Sequence, residues 1–272
     1  MKPLNLLLLL FISTVCHALP DASPVPGGIA VINLGQYDTE PEVRFYRKRV
    51  TVIKDGEGYT ALVGIPLSAK TGQHTLQVVE PEQTIPFQVL GKDYPEQRLT
   101  IKNKRKVNPN SDDVKRINSE RTRKANAKNA WSDVTPELNM SLPVQGRYSS
   151  AFGLRRFFNE QPRNPHAGLD IAAARGTPIL APAPGRVIEA GDFFFSGNCV
   201  WLDHGKGIVS LYAHMNEINV NVGDQVDRGE LIGTVGDTGR VTGPHLHWSI
   251  GLNGTWIDPS LFLPIELRPQ TD

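Results

Sequence analysis

Between Ser141 and Pro264 no apolar period of 3.6 residues survives for more than two helical turns. That constrains nearly half the chain, because a helical core needs such a stripe. Apolar runs in this stretch are mostly four to six residues long, and Pro165, Pro178, Pro182, Pro184, Pro244 and Pro259 punctuate it. Short runs between turn residues read as strands, and the segment 141–264 is expected to be an antiparallel β domain. The fold class expected for the chain is therefore mostly β.

Residues 22–105 show the same texture on a smaller scale. Candidate strands are Ile29–Leu34, Val43–Tyr46, Val50–Ile53, Tyr59–Val63, His74–Val79, Thr84–Val89 and Arg98–Ile101, with Gly27-Gly28, Asp55–Gly58 and Lys70–Gly72 between them. This spacing predicts a β-sandwich-like N-terminal domain that serves as a spacer or a wall-binding module. A helical linker, residues 106–140, separates the two. Its helix is expected to open at Asn108-Pro109, with Asp112 and Asp113 in the first turn and Lys124 and Lys128 late, as the helix dipole favours. The basic residues Lys115, Arg116, Arg121, Arg123, Lys124 and Lys128 read as the solvated face of that linker, with contact to an anionic polymer as the sharper alternative.

The chain opens with Met1-Lys2, an apolar run from Leu4 to Val15, and Cys16-His17-Ala18. That is the pattern of an export signal, residues 1–18, whose run is too short for a permanent membrane span. Lipid attachment at Cys16 is the alternative, disfavoured by the β-branched Val15. Without the leader, 28 basic residues face 28 acidic ones and Cys199 is the single cysteine. A neutral balance excludes nucleic acid as the expected partner. One thiol forms no internal disulfide, so an exported fold must rest on its core, with a bound metal as the further support available to it. Periplasm is the expected compartment, with secretion or lipid anchoring as alternatives, and the chain is expected to be a monomer.

Five histidines fall in the second domain: His166, His204, His214, His245 and His247. Written as a strand, His166, Gly168 and Asp170 share one face while Ala167, Leu169 and Ile171 share the apolar one. An imidazole and a carboxylate then stand together, and both are zinc donors. In His245-Leu246-His247 two imidazoles share one strand face, which suits a metal better than a core. His204, in Asp203-His204-Gly205, reads as structural, and Cys199 as a small buried hydrophobe.

At these residues the chain resembles the lysostaphin-type peptidoglycan endopeptidases. Phe152-Gly-Leu-Arg155, His166-x-x-x-Asp170, Leu211-Tyr-Ala-His214 and Thr242-Gly-Pro-His-Leu-His247 occur in the family's order, over about residues 145–260. The resemblance implies one Zn2+ per chain, held by His166, Asp170 and His247 with water in the fourth place. It implies catalytic roles for His214 and His245, which position and deprotonate that water. The implied substrate is the peptide stems of peptidoglycan, cut at their cross-links. The segments Arg156–Pro165 and Phe193–Ser196 depart from the common pattern, so specificity is where the analogy is weakest. Arg155 reads as structural. Asn159 is either a loop contact or a residue that swings in to mask the metal.

Two other classes compete. A biotinyl or lipoyl carrier needs a lysine at its hairpin tip, and Gly236-Asp-Thr-Gly239 has none. A non-catalytic, wall-binding activator of other hydrolases would need no histidine pair, yet both histidines are present.

Overall fold

The computed structural model describes residues 19–269. The leader expected at 1–18 lies outside them. Among the described residues no helix is long and apolar enough to cross a membrane.

The N-terminal half supplies β1 (Ile29–Gly35), β2 (Val43–Phe45), β3 (Lys48–Arg49), β4 (Thr51–Asp55), β5 (Gly58–Gly64), β6 (Gly72–Val78), β7 (Gln83–Val89) and β8 (Glu96–Leu99). Two antiparallel sheets, ordered β1-β5-β4 and β3-β2-β6-β7, face each other across Val43, Val52, Ala61, Val63, Leu76, Val78 and Val89. These are the alternating apolar positions, so period-2 patterning alone builds this sandwich.

After α1 (Ser111–Lys128) come β9 (Arg147–Ser150), β10 (Arg155–Phe158), β11 (Gln161–Pro162), β12 (Leu169–Ala172), β13 (Pro178–Leu180) and β14 (Gly185–Phe193). They are followed by β15 (Gly197–Gly205), β16 (Ile208–Ile218), β17 (Gln225–Val226), β18 (Leu231–Val235), β19 (Leu246–Leu252) and β20 (Thr255–Ile257). The main sheet runs β17-β14-β15-β16-β19-β12-β9, with β18 and β20 joined at its side. One face buries Tyr212, Trp248, Ile250 and Leu252 in the central core, and the other carries Cys199, Trp201, Leu211 and Ala213. Ile29, Ile53 and Leu62 of the sandwich join the central core, so the two halves share apolar packing.

Three details differ from the sequence reading. Arg98–Ile101 does not close the sandwich. The strand runs at Glu96–Leu99 and pairs in parallel with β10, Arg156 lying opposite Gln97. Alternation specifies a face but not a neighbour, which is why the pattern misplaced it. The helix is capped by Asn110, not Asn108: the Asn110 side chain accepts from the Asp113 N–H, and the Asp113 carboxylate accepts in return. That reciprocal pair satisfies two end donors, which Asn108 has no partner to do. The helix is also docked rather than solvated. Asp113, Glu120 and Ala127, spaced by seven, form its buried stripe. The Phe194 N–H donates to the Glu120 carboxylate at 2.9 Å, and Arg123 forks onto Glu189 at 2.6 and 2.9 Å.

His204 sits inside β15 and is buried. Its neutral ring donates from Nδ1 to the Pro184 carbonyl (2.7 Å) and takes the Ser210 hydroxyl at Nε2 (2.7 Å). Burial pulls its pKa below the ordinary histidine value. The unfolded chain therefore binds the extra proton first, and stability falls as pH drops below about 6.5. In metal-free protein, His204→Gln should flatten that decline by up to about 1.4 kcal/mol per pH unit. Urea melts between about pH 7 and pH 5 check it.

Candidate metal centre

Neighbouring strands bring the donors into register. Asp170 on β12 lies opposite His247 on β19, and His247 lies opposite Ala213 on β16, one residue before His214. Alternation puts His166 in a strand, but it lies in the loop ahead of β12, after Pro165. The His166 N–H donates to the Leu154 carbonyl (2.9 Å), which fixes it there.

The three side chains meet at one point. His166 Nε2 is 3.0 Å from Asp170 Oδ1 and 3.0 Å from His247 Nδ1, and Asp170 Oδ1 is 2.7 Å from His247 Nδ1. A tetrahedral zinc with bonds of about 2.0–2.1 Å sets its donors roughly 3.3 Å apart, so the spacing fits. Their other atoms are engaged. His166 Nδ1 donates to the Ala151 carbonyl (2.6 Å), His247 Nε2 meets Ser249 Oγ (2.8 Å), and Arg156 Nη2 donates to Asp170 Oδ2 (2.7 Å). Such outer partners fix tautomer and ring orientation at metal sites. Burial alone would raise the Asp170 carboxyl, but His166 and His247 outweigh it and hold it well below the usual carboxylate range. Two imidazoles and a carboxylate held this way are a donor set that fits zinc.

His214 and His245 stand beside the triad, their ring centroids 4.9 Å apart. Nδ1 of His214 donates to the Thr238 carbonyl and Nδ1 of His245 to the Gly243 carbonyl, both at 2.8 Å. Among the described residues neither Nε2 has a hydrogen-bond partner, and that of His245 lies 3.8 Å from Asp170 Oδ1. His214 has left-handed backbone (φ 66°), an irregularity inside β16 where pairing with β19 ends at Ala213 and pairing with β18 begins at Met215. Burial, then the charges of His245 and His247, push its pKa well below the ordinary value.

Gly168 is required by close approach. A methyl group there would lie 2.5 Å from the Trp248 carbonyl oxygen and 2.7 Å from Cε1 of His247. The backbone oxygen cannot yield, so the ring must. Gly168→Ala should weaken zinc binding by about 10- to 100-fold, read by competition with a chromogenic chelator.

Several contributors escaped the sequence reading. Arg156 fixes Asp170, and its Nε donates to Gln97 Oε1 (2.9 Å), so β8 of the N-terminal half reaches the candidate donor cluster through one side chain. Gln97, Leu99 and Ile101 also wall a cavity of about 170 Å³ together with Asp170, His214, Arg240 and His245. No local motif marks these residues; only the parallel pairing of β8 reveals them. Asn159 hydrogen-bonds the backbone of Ile101 in both directions, as a loop contact. Arg155 donates to the Tyr94 carbonyl (3.0 Å). Cys199 is buried, which pushes its thiol up to about 12.

A β fold presenting a His–Asp–His donor set with two further histidines defines a metallopeptidase-type centre. Residues 164–259 match peptidase family M23, and residues 22–92 match the peptidase family M23 N-terminal domain. The crystal structure of an M23 protein from Pseudomonas aeruginosa is 39% identical, covering 88% of this chain and 95% of that one with a TM-score of 0.76. The chain belongs to peptidase family M23. Among curated relatives, the DD-carboxypeptidase/endopeptidase Mpg of Neisseria meningitidis serogroup B is 40% identical over 136 residues, 50% of this chain and 31% of that protein. The peptidoglycan DD-endopeptidase ShyA of Vibrio cholerae is 40% identical over 109 residues, 40% of this chain and 25% of that protein. The chain thus spans about a third or less of the length of these relatives.

Proposed function

We propose that this protein is a zinc-dependent endopeptidase that hydrolyses the peptide cross-links of bacterial peptidoglycan, exported by residues 1–18 and working as a monomer in the periplasm. The observation that carries the reading is the convergence of three donor atoms within about 3 Å of one another, beside two histidines whose Nε2 atoms have no hydrogen-bond partner among the described residues. His166 Nε2, Asp170 Oδ1 and His247 Nδ1 hold one zinc. When bound, zinc polarises the scissile carbonyl and lowers the pKa of a coordinated water toward ~7. The chain's own histidines move the protons. His214, kept neutral by burial, and His245 are bases placed to take a proton from the attacking water and return it to the leaving amine. Arg156 holds Asp170 so that Oδ1 faces the other two donors.

The test uses mature protein of known zinc content, incubated with intact sacculi beside His247→Ala and His245→Ala. Muropeptides are then separated by mass. Conversion of cross-linked dimers to monomers by wild type alone supports the reading, and the masses identify the bond. One zinc per chain with no bond cut would turn the assignment to a non-catalytic activator.

A further inference from the structure

We propose that Arg240 forms a carboxylate-binding subsite beside the histidine pair, and that it takes the free carboxylate on the substrate residue whose nitrogen leaves. The inference rests on the endopeptidase reading above and deepens it, because it selects the kind of cross-link.

The guanidinium of Arg240 lies 4.6 Å from the ring centre of Phe158 and 4.4 Å from that of Phe195. Stacking on both rings fixes its plane. Its one side-chain hydrogen bond among the described residues is a long one, 3.5 Å, to the Lys106 carbonyl. No described carboxylate pairs with it, while Arg156 and Arg163 repel it. Burial and those two cations bring its pKa down to about 10, so it stays charged at neutral pH. A desolvated cation flanked by like charges and lacking an anion is costly, and a bound anion would relieve that cost. The other guanidinium in this cavity, that of Arg156, already serves Asp170.

Arg240 lines the same 170 Å³ cavity as Asp170, His214 and His245. That volume accommodates a carboxylate and a few heavy atoms, so an anion bound there sits within one residue of the reacting amide. Substrate chemistry then decides. In a D-alanyl–diaminopimelate cross-link, the carbon bearing the leaving nitrogen also bears a free carboxylate. In a glycine bridge the equivalent position is a neutral amide. The subsite therefore selects bonds of the first kind.

The experiment compares the zinc-loaded enzyme on two cross-linked dimers that differ only at the leaving residue, free carboxylate or its amide. Wild type should prefer the acid by about 100-fold in kcat/KM, mostly through KM, as loss of a charge-assisted fork implies. Arg240→Gln should shrink that preference to within about threefold, and Arg240→Lys should retain about tenfold, since it keeps the charge without the fork. A second readout needs no turnover: calorimetry of metal-stripped wild type with a stem pentapeptide ending in D-alanine, as acid and as amide, should show the same order. Equal cleavage of both dimers by wild type overturns the subsite and leaves the endopeptidase reading standing. Cleavage of neither overturns the endopeptidase reading, and calorimetry then decides the subsite alone. Should Arg240→Gln fail to fold, the wild-type comparison and Arg240→Lys carry the test.

Discussion

His247→Ala should lose about a thousandfold or more in zinc affinity, and peptidoglycan cleavage with it. Apparent zinc affinities of ~10–16 kcal/mol shared among three or four ligands assign roughly 4 kcal/mol to each. His247 also carries more than its own bond. Its Nδ1 is the atom nearest Asp170 Oδ1, at 2.7 Å, and its Nε2 is tied to Ser249. Removing the ring leaves His166 and Asp170 facing one open side, too few donors for a tetrahedral site with one free position. Zinc content after dialysis, measured by atomic emission, is the direct check. A variant that kept one zinc per chain would remove His247 from the ligand set.

His214→Ala and His245→Ala should behave differently: zinc is retained while kcat falls by about 10²- to 10⁴-fold, the range for a positioned acid–base group. The reason is geometric. Both rings are anchored through Nδ1 to backbone carbonyls of Thr238 and Gly243, so neither orients a metal ligand. Because the two rings work on one proton path, the double variant should be little worse than the poorer single one. Stopped assays on purified cross-linked dimer, with zinc measured on the same samples, separate the cases. Loss of zinc from either single variant would sink the division of labour.

How much of this was readable beforehand depended on whether a feature is local. The pair His245-x-His247 and the face of Asp170 follow from alternation along a strand, and the structure places them together. His166 escaped that rule, since Pro165 and Gly168 keep its segment out of the ladder, yet it arrives at the same point. The helix was legible to within two residues; its true cap, Asn110, was marked in sequence by Asp113 three positions on. What alternation could not reveal was partnership at long range. Gln97 reaches Arg156 only because β8 runs parallel to β10, and nothing in Glu96–Leu99 announces that neighbour. Arg240 likewise carries no local mark, because Phe158 and Phe195, the rings it stacks on, are distant in sequence.

The parallel pairing of β8 with β10 also bears on how such proteins diversify. Gln97, Leu99 and Ile101 wall the cavity from a stretch of chain that precedes the span matched to the peptidase family, residues 164–259. Changes at Leu99 or Ile101 can reshape what enters the cavity without touching the hydrogen bonds that hold His166, Asp170 and His247. Substrate preference and chemistry are thereby separable at Leu99 and Ile101, and joined at Gln97, whose side chain holds the arginine that holds Asp170.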